Sequence, residues 1–343
     1  MSTEPIPRAE NAAANPFPGP GGAPRGVASW VDIDGPVHYL DFGGPRRGPV
    51  IVCVHGLAGS AVNWSALAPL LTSRCRVLAV DLAGHGLTRS GGRGTDVQSN
   101  RRLLHRFIDL VTAAPVILMG NSMGGMISLL EASAAADSVS GLILVDPALP
   151  FVPARPDLLV AAVFATGGLP GLGPALLRGV HRLPPEAVVA GILSLCCHNP
   201  SRVPADVVAQ HVAVARRRSG FTEAGRDLGV ATRSVIATAG FGGHAYRQGI
   251  AALSCPVLLL HGERDRLVPA SAARATARAH PSWSVTVLPG VGHVPQLEAP
   301  PECAEAILSW LDSAGLPAAR AATRPTSAVS LVRLLRRATR ESR

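Results

Sequence analysis

The sequence predicts an α/β protein in which a mainly parallel sheet carries helices on both faces and a set of helices is inserted as a lid. Short, uncharged apolar segments such as 50–54 and 116–119 are typical of strands that are buried on both faces. Amphipathic helical segments alternate with these strands, as parallel pairing requires. Between about 147 and 254 the alternation gives way to helical pieces separated by Pro and Gly, after which two strands follow.

The strands and helices can be placed from their periodicity. Two alternating segments come first and predict an antiparallel ribbon at the sheet edge, over 28–33 and 37–42. The buried strands are predicted at 50–54, 77–80, 116–119, 142–145, 257–260 and 285–288. Helices of the main sheet are predicted at 61–71, 100–111 and 123–136.

Composition divides the chain into three parts. Residues 1–27 are rich in Pro, Gly, Ala and Asn without apolar periodicity, which indicates a disordered leader. Residues 28–312 are predicted to form the main domain, with the helical lid at about 147–254. Residues 313–343 form a basic tail, which we expect to be disordered or, over 330–340, an amphipathic helix.

The lid region contains an apolar stretch over 158–177 with no charged residue. Such a stretch raises two interpretations, a membrane span or a lid that lines an apolar pocket. Several Gly and Pro residues interrupt it, which argues against a continuous helix and favours the lid.

The positive charge of the chain is concentrated in its tail. The net charge is +9, and residues 317–343 hold seven Arg and one Glu, so this segment supplies +6 of it. No nucleic-acid partner is therefore predicted, and nucleic-acid binding through the tail alone is a weaker alternative. For the tail, the alternatives are weak peripheral contact with an anionic membrane and a solvated, disordered segment.

The residue types that are missing also exclude functions. All 32 basic residues are Arg, which excludes a phosphate-binding or Schiff-base lysine and suggests a GC-rich bacterial genome. The six cysteines form no C-x-x-C pair and lie mostly in apolar stretches, as buried free thiols do. The N-terminus lacks a basic start followed by an apolar core, so a cytoplasmic location is predicted.

The strongest chemical motif is Gly120-Asn121-Ser122-Met123-Gly124-Gly125, which lies between a predicted strand and a predicted helix. In that context G-x-S-x-G forms a sharp turn that exposes the serine hydroxyl above the sheet. Ser122 is the predicted nucleophile, and a serine hydroxyl requires an adjacent base and an orienting acid.

His293 and Asp265 are the predicted base and orienting acid. His293 lies in a Gly-rich loop beyond the last strand, where open α/β sheets place their sites. Asp265 follows the preceding strand, although by itself it could be a turn residue paired with a neighbouring Arg. The order Ser, Asp, His along the chain matches the order expected of this arrangement. The predicted oxyanion donors are the backbone N–H groups of Met123 and Leu57.

With these motifs the chain resembles the α/β-hydrolase superfamily over about residues 28–312. The motifs HGLAGS, DLAGHGLT, GNSMGG, GERDRLVP and GVGHVPQLEAP occur in family order. The resemblance implies that His55 and Gly56 shape the oxyanion turn and that Gly84 and Gly86 support a tight loop beside it. A serine at position 122 separates the chain from the epoxide hydrolases and haloalkane dehalogenases, relatives that use Asp at the elbow.

The resemblance leaves open a second position for the acid. Some members place it after an earlier strand, where this chain has Asp146, but Asp265 occupies the commoner location and Asp146 before Pro147 is a ready turn residue. Glu298 is interpreted as a helix cap or a support for the His loop.

Together these features predict a serine hydrolase, acting on a lipophilic small-molecule carboxylic ester through an acyl-enzyme on Ser122, with no metal or organic cofactor. One alternative is a carbon-carbon bond hydrolase of the ring-fission-product type, whose elbow is similar to GNSMGG. Those enzymes usually carry Trp after the catalytic His, where this chain has Val294. The other alternative is a ligand-binding protein that retains the fold without turnover.

Overall fold

The computed structural model describes residues 25–150, 183–240, 243–314 and residue 316. Most of the predicted leader, the uncharged stretch 158–177 and the tail with its candidate helix at 330–340 lie outside the described residues, so these stay predictions.

A single sheet of eight strands organises the molecule. In the order β1-β2-β4-β3-β5-β6-β7-β8, the first two pairings are antiparallel and all later ones are parallel. The prediction of a mainly parallel sheet is confirmed. The strands are β1 Val27–Asp32, β2 Pro36–Gly43, β3 Val50–Val54, β4 Arg76–Val80, β5 Val116–Asn121, β6 Val139–Val145, β7 Val257–Gly262 and β8 Ser284–Leu288.

Ten α-helical segments are present in the described residues. They are α1 Ala68–Leu71, α2 Val97–Val111, α3 Met123–Ala134, α4 Pro185–Cys196, α5 Ala205–Arg218, α6 Ala224–Ala239, α7 Gly243–Ala251, α8 Ala270–Ala279, α9 Pro295–Glu298 and α10 Pro300–Ser313. The predicted helix over 61–71 is instead a 3₁₀ turn, Ala61–Trp64, followed by α1. Pro69 explains the break, because a proline is accommodated only in the first turn of a helix.

The two faces of the sheet bury separate apolar cores. Along β3, Val52 and Val54 pack into the core that includes residues of α2 and α3. Ile51 and Cys53 point to the opposite face, into the core that includes residues of α1 and α10. Both faces of the strand are therefore buried, which is why its sequence is an uninterrupted apolar run.

The helices α4 to α7 lie between β6 and β7 in the chain. A third apolar cluster joins α4 and α5 to the segment that follows β8, since Leu193 and Val207 pack with Val294 and Leu297. Within the described ranges, none of the helices combines the length and apolar composition that a membrane span requires.

A matched pair of glycine substitutions tests the packing of α3 beneath β3. A Cβ at Gly124 would lie 2.1 Å from the carbonyl oxygen of Val54, a backbone atom that cannot move aside. Gly124→Ala should therefore lower the free energy of unfolding by about 1–3 kcal/mol. Gly191→Ala in α4, where a Cβ would meet nothing within 4 Å, should raise it by up to about 1 kcal/mol. Urea unfolding followed by circular dichroism measures both, and equal effects would contradict the packing.

Candidate active site

Ser122 lies at the turn between β5 and α3 in a backbone conformation that side-chain-bearing residues rarely adopt. Its φ is 54° and its ψ is −118°. The neighbouring backbone holds it there: its N–H donates to the Val145 carbonyl (3.1 Å), and its own carbonyl accepts from the Ala148 N–H (2.9 Å). The structure thus contains the sharp strand-to-helix turn that the G-x-S-x-G pattern predicts. The side chain of Ser122 is partly exposed, whereas its neighbours Asn121 and Met123 are buried.

His293 and Asp265 are brought together by the ends of β7 and β8. The Nδ1 atom of His293 lies 2.7 Å from Oδ2 of Asp265. Both residues are buried, with exposed fractions of 3% and 8%. The other oxygen of Asp265 accepts from the N–H groups of Leu267 (2.7 Å) and Val268 (3.0 Å), which fixes the plane of the carboxylate.

The pKa of Asp265 lies below its usual value. Burial raises the pKa, but the nearby His293 and the hydrogen bond from its ring, together with Asp146 and His261, lower it by more. Asp265 is therefore an ionised acceptor at neutral pH, and the proton of a neutral His293 resides on Nδ1. That tautomer leaves Nε2 of His293 able to accept a proton.

The backbone of His293 is held from two sides. Its N–H donates to the Cys196 carbonyl at the end of α4 (2.7 Å). Its carbonyl accepts from the side-chain amide of Asn121 (3.1 Å), which also donates to Val145 (3.0 Å). Asn121 therefore links the serine turn directly to the histidine loop. This role was not predicted from the sequence, where the only signal for it is a polar residue at the end of a buried strand.

Glu298 holds the same loop through hydrogen bonds from backbone N–H groups. Its buried carboxylate accepts hydrogen bonds from the N–H groups of Gly292 (2.8 Å), His198 (3.1 Å) and Asn199 (2.7 Å). Gly292 precedes His293, and the other two residues follow α4. One carboxylate therefore joins the inserted helices to the histidine loop, a contact that extends beyond the interpretation of Glu298 from sequence.

The predicted oxyanion donors lie on either side of Ser122. Met123 is the first residue of α3, so its N–H has no acceptor within the helix. The loop with Leu57 follows β3, and a Cβ at Gly56 would lie 3.1 Å from the Cβ of Ser122, which places this loop against the serine. Among the described residues, neither the Leu57 nor the Met123 N–H has an acceptor. Both amides are thus available to a substrate oxygen.

His55 shapes the loop before Leu57. Its Nε2 accepts from the Leu82 N–H (3.1 Å), so its Nδ1 carries the proton and donates to the Gly56 carbonyl (2.8 Å). Burial lowers the pKa of His55, which keeps the ring neutral. This contact agrees with the role in the oxyanion turn that the resemblance implies for His55 and Gly56.

The neighbouring loop after β4 is fixed by a buried carboxylate and by an arginine from the inserted helices. Asp81 accepts from His38 Nδ1 (2.7 Å) and from two backbone N–H groups, those of Ala61 (2.6 Å) and Leu87 (2.7 Å). Gly84 and Gly86 have φ angles of 76° and 51°, which favour glycine. The guanidinium of Arg218, at the end of α5, donates to both of their carbonyls at 2.9 Å.

Asp146, the other acid that the sequence allows, is fully buried beside Asp265. Its Oδ1 accepts from the Gly262 N–H (2.9 Å). The hydrogen bond to His293 is made by Asp265, and Asp146 is its neighbour: one oxygen of each carboxyl and a ring nitrogen of His293 all lie within 4.8 Å of one another. A hydroxyl, an imidazole, a carboxylate and two available amides are the groups that acyl transfer requires.

Comparison with known proteins gives this arrangement a context. The model of the alpha/beta hydrolase family matches residues 51–306. A monoacylglycerol lipase of Mycolicibacterium smegmatis is 30% identical over 282 residues, which are 78% of this chain and 90% of that protein. Haloalkane dehalogenase 2 of Mycobacterium bovis is 29% identical over 290 residues, 81% of this chain and 93% of that protein. A thermophilic esterase from Thermogutta terrifontis superimposes with a TM-score of 0.62 and 23% identity, over 84% of this chain and 99% of the esterase, which shows a similar fold.

Substitution of the three central residues tests whether they act as a unit. Ser122→Ala and His293→Ala should each lower the kcat for a p-nitrophenyl ester by about four orders of magnitude, because either change removes proton transfer to the base. Asp265→Asn should cost about 10⁴-fold, since an amide favours the wrong tautomer of His293. Asp137→Asn, an exposed change of the same kind, is the control. If Asp265→Asn kept a near-normal rate while Asp146→Asn did not, the assignment of the acid would be wrong.

A second substitution tests the link through Glu298. In Glu298→Gln the new NH₂ group faces at least one backbone N–H, so the free energy of unfolding should fall by about 1–3 kcal/mol and kcat should fall with it. Glu302→Gln is the matched control, because Glu302 forms a half-exposed ion pair with Arg202 that is worth at most about 1 kcal/mol. Equal losses in the two variants would show that Glu298 has no special role.

Proposed function

The chain belongs to the alpha/beta hydrolase family, and we propose that it is a serine hydrolase that cleaves carboxylic esters of lipophilic small molecules. The observation that carries this proposal is the hydrogen-bonded pair of His293 and Asp265, which the side chain of Asn121 links to the strained turn at Ser122. A buried carboxylate hydrogen-bonded to a histidine, together with a partly exposed serine hydroxyl, supplies the groups that acyl transfer uses.

The reaction proceeds through a covalent intermediate. Nε2 of His293 takes the proton of the Ser122 hydroxyl as Oγ attacks the ester carbonyl, and Asp265 stabilises the imidazolium that forms. The amides of Leu57 and Met123 donate to the developing oxyanion. The protonated histidine then gives its proton to the leaving alcohol. Water attacks the acyl-enzyme by the same steps, which restores the free serine.

An apolar wall beside the histidine supports a lipophilic substrate. Val294, directly after His293, is buried in the cluster that contains Leu193 of α4 and Val207 of α5. Over its 12 residues α4 carries a single charge, at Glu186. The relative named monoacylglycerol lipase acts, by its name, on esters of this general kind.

Two other functions are less well supported by the same residues. A dehalogenase is among the relatives, but the resemblance implies an aspartate nucleophile for that chemistry, and this chain has Ser122. Carbon-carbon bond hydrolysis remains the second candidate, because GNSMGG is similar to the elbow of those enzymes. The small side chain of Val294 disfavours it, since a Trp usually occupies that position there.

A series of p-nitrophenyl esters with two to twelve acyl carbons tests the proposal. Each methylene that enters an apolar pocket is worth up to about 0.8 kcal/mol, so kcat/KM should rise by as much as about fourfold per carbon until the pocket is full. Ser122→Ala is the control for background hydrolysis.

Efficiency that falls steadily from acetate would contradict the lipophilic pocket while leaving ester cleavage intact. Turnover confined to vinylogous 1,5-diketones, with none for any ester, would instead support the carbon-carbon hydrolase.

A further inference from the structure

Two buried carboxyl groups lie side by side behind the histidine. Asp146 is fully buried and Asp265 is 8% exposed, and an oxygen of each lies within 4.8 Å of the other. Two carboxylates in such a place cannot both be ionised at neutral pH, because each charge is poorly solvated and repels the other. One of the pair must therefore hold a proton.

The hydrogen bonds identify which one. Asp265 accepts from two backbone amides and from His293, which stabilises its charged form. Asp146 accepts from a single amide, that of Gly262, through Oδ1. Its other oxygen, Oδ2, is buried and has no donor among the described residues. An ionised carboxylate would be left unsatisfied there, whereas a protonated one can donate to Asp265.

The surrounding groups do not supply a cation for Asp146. The titratable groups near it are Asp265, His261, Cys303 and Glu298, with His293 beyond Asp265. The ring of His261 lies 3.5 Å away, but its Nε2 is hydrogen-bonded to the Val268 carbonyl (2.9 Å), and burial lowers its pKa, so it stays neutral. Burial and the charge of Asp265 together raise the pKa of Asp146 well above its usual value.

The backbone also directs the carboxyl of Asp146 to this place. Asp146 has a φ of 43°, in the left-handed region that non-glycine residues seldom occupy. Its N–H donates to the Leu260 carbonyl (3.0 Å), which fixes the residue against β7. A strained backbone conformation is retained only where the surrounding contacts hold it in place. Such conformations occur most often at functional sites.

We propose that Asp146 is a positioning residue, a protonated carboxylic acid whose O–H donates to the Asp265 carboxylate and holds it against His293. The hydrogen bond completes the set of donors around Asp265 and leaves the pair with one negative charge. This role rests on the proposed function where activity is concerned, whereas the protonation state of Asp146 can be measured without any substrate.

Infrared difference spectroscopy tests the protonation directly. At pH 7 the spectrum of the wild type minus that of Asp146→Asn should contain the C=O stretch of a protonated carboxylic acid, shifted in D₂O. Wild type minus Asp137→Asn should contain none, because Asp137 is exposed and far from the buried pair of carboxyl groups. Absence of the band from the first difference would overturn the proposal, whatever reaction the protein catalyses.

The rate at which a fluorophosphonate labels Ser122 tests the positioning role, since it requires an activated serine but no particular substrate. Asp146→Asn retains both the acceptor for Gly262 and a donor for Asp265, so labelling should slow by no more than about threefold. Asp146→Ala removes the donor and should slow it roughly 10- to 100-fold. Equal slowing in the two variants would assign Asp146 a purely structural role and contradict the proposal.

The pH dependence of labelling in Asp146→Asn tests the proposal even if Asp146→Ala does not fold. Replacement of a neutral acid by Asn leaves the charge beside His293 unchanged, so the acid limb should stay within about half a pH unit of the wild type. If Asp146 were ionised, Asn would remove a negative charge, and the limb would move to lower pH by about one unit or more. That shift would overturn the proposal.

Discussion

The hydrogen bond from His293 to Asp265 is the interaction around which the candidate site is built. A histidine can act as a base only if one ring nitrogen keeps its proton and the other points to the serine, and a fixed carboxylate behind the ring provides that orientation. Here the carboxylate is itself fixed by two backbone amides, and the backbone of the histidine by Cys196 and Asn121. Each partner of the bond is held independently, so the bond needs little reorganisation during the reaction.

The contacts that hold the histidine loop also hold the inserted helices. Glu298 accepts from Gly292 on one side and from the residues after α4 on the other. Arg218 at the end of α5 reaches the loop after β4, which lies next to His55. Because Glu298 is hydrogen-bonded both to the histidine loop and to the segment after α4, we expect a change in one to affect the other. We expect substitutions in this insertion to alter rate as well as substrate binding.

Much of this could be predicted from the sequence because it depends on local pattern. Apolar runs predicted the parallel strands, and the glycines around Ser122 predicted the sharp turn between β5 and α3. The rest depends on contacts between distant segments. The spacing of residues along the sequence does not show whether Asp146 lies beside Asp265, because that depends on the register of β6 and β7. The hydrogen bonds from Glu298 to residues near 198 could not be predicted either, since these partners are about a hundred positions away in the sequence.

We infer that Ser122 is a nucleophile activated by His293. This activation is tested most directly by treating the full chain with a fluorophosphonate and locating the adduct by mass spectrometry of the digested protein. We expect one phosphonylated residue, Ser122, in the wild type, and at least about a thousandfold slower labelling in His293→Ala, which retains the serine but lacks its base. An adduct at another residue, or labelling of His293→Ala at the rate of the wild type, would contradict it.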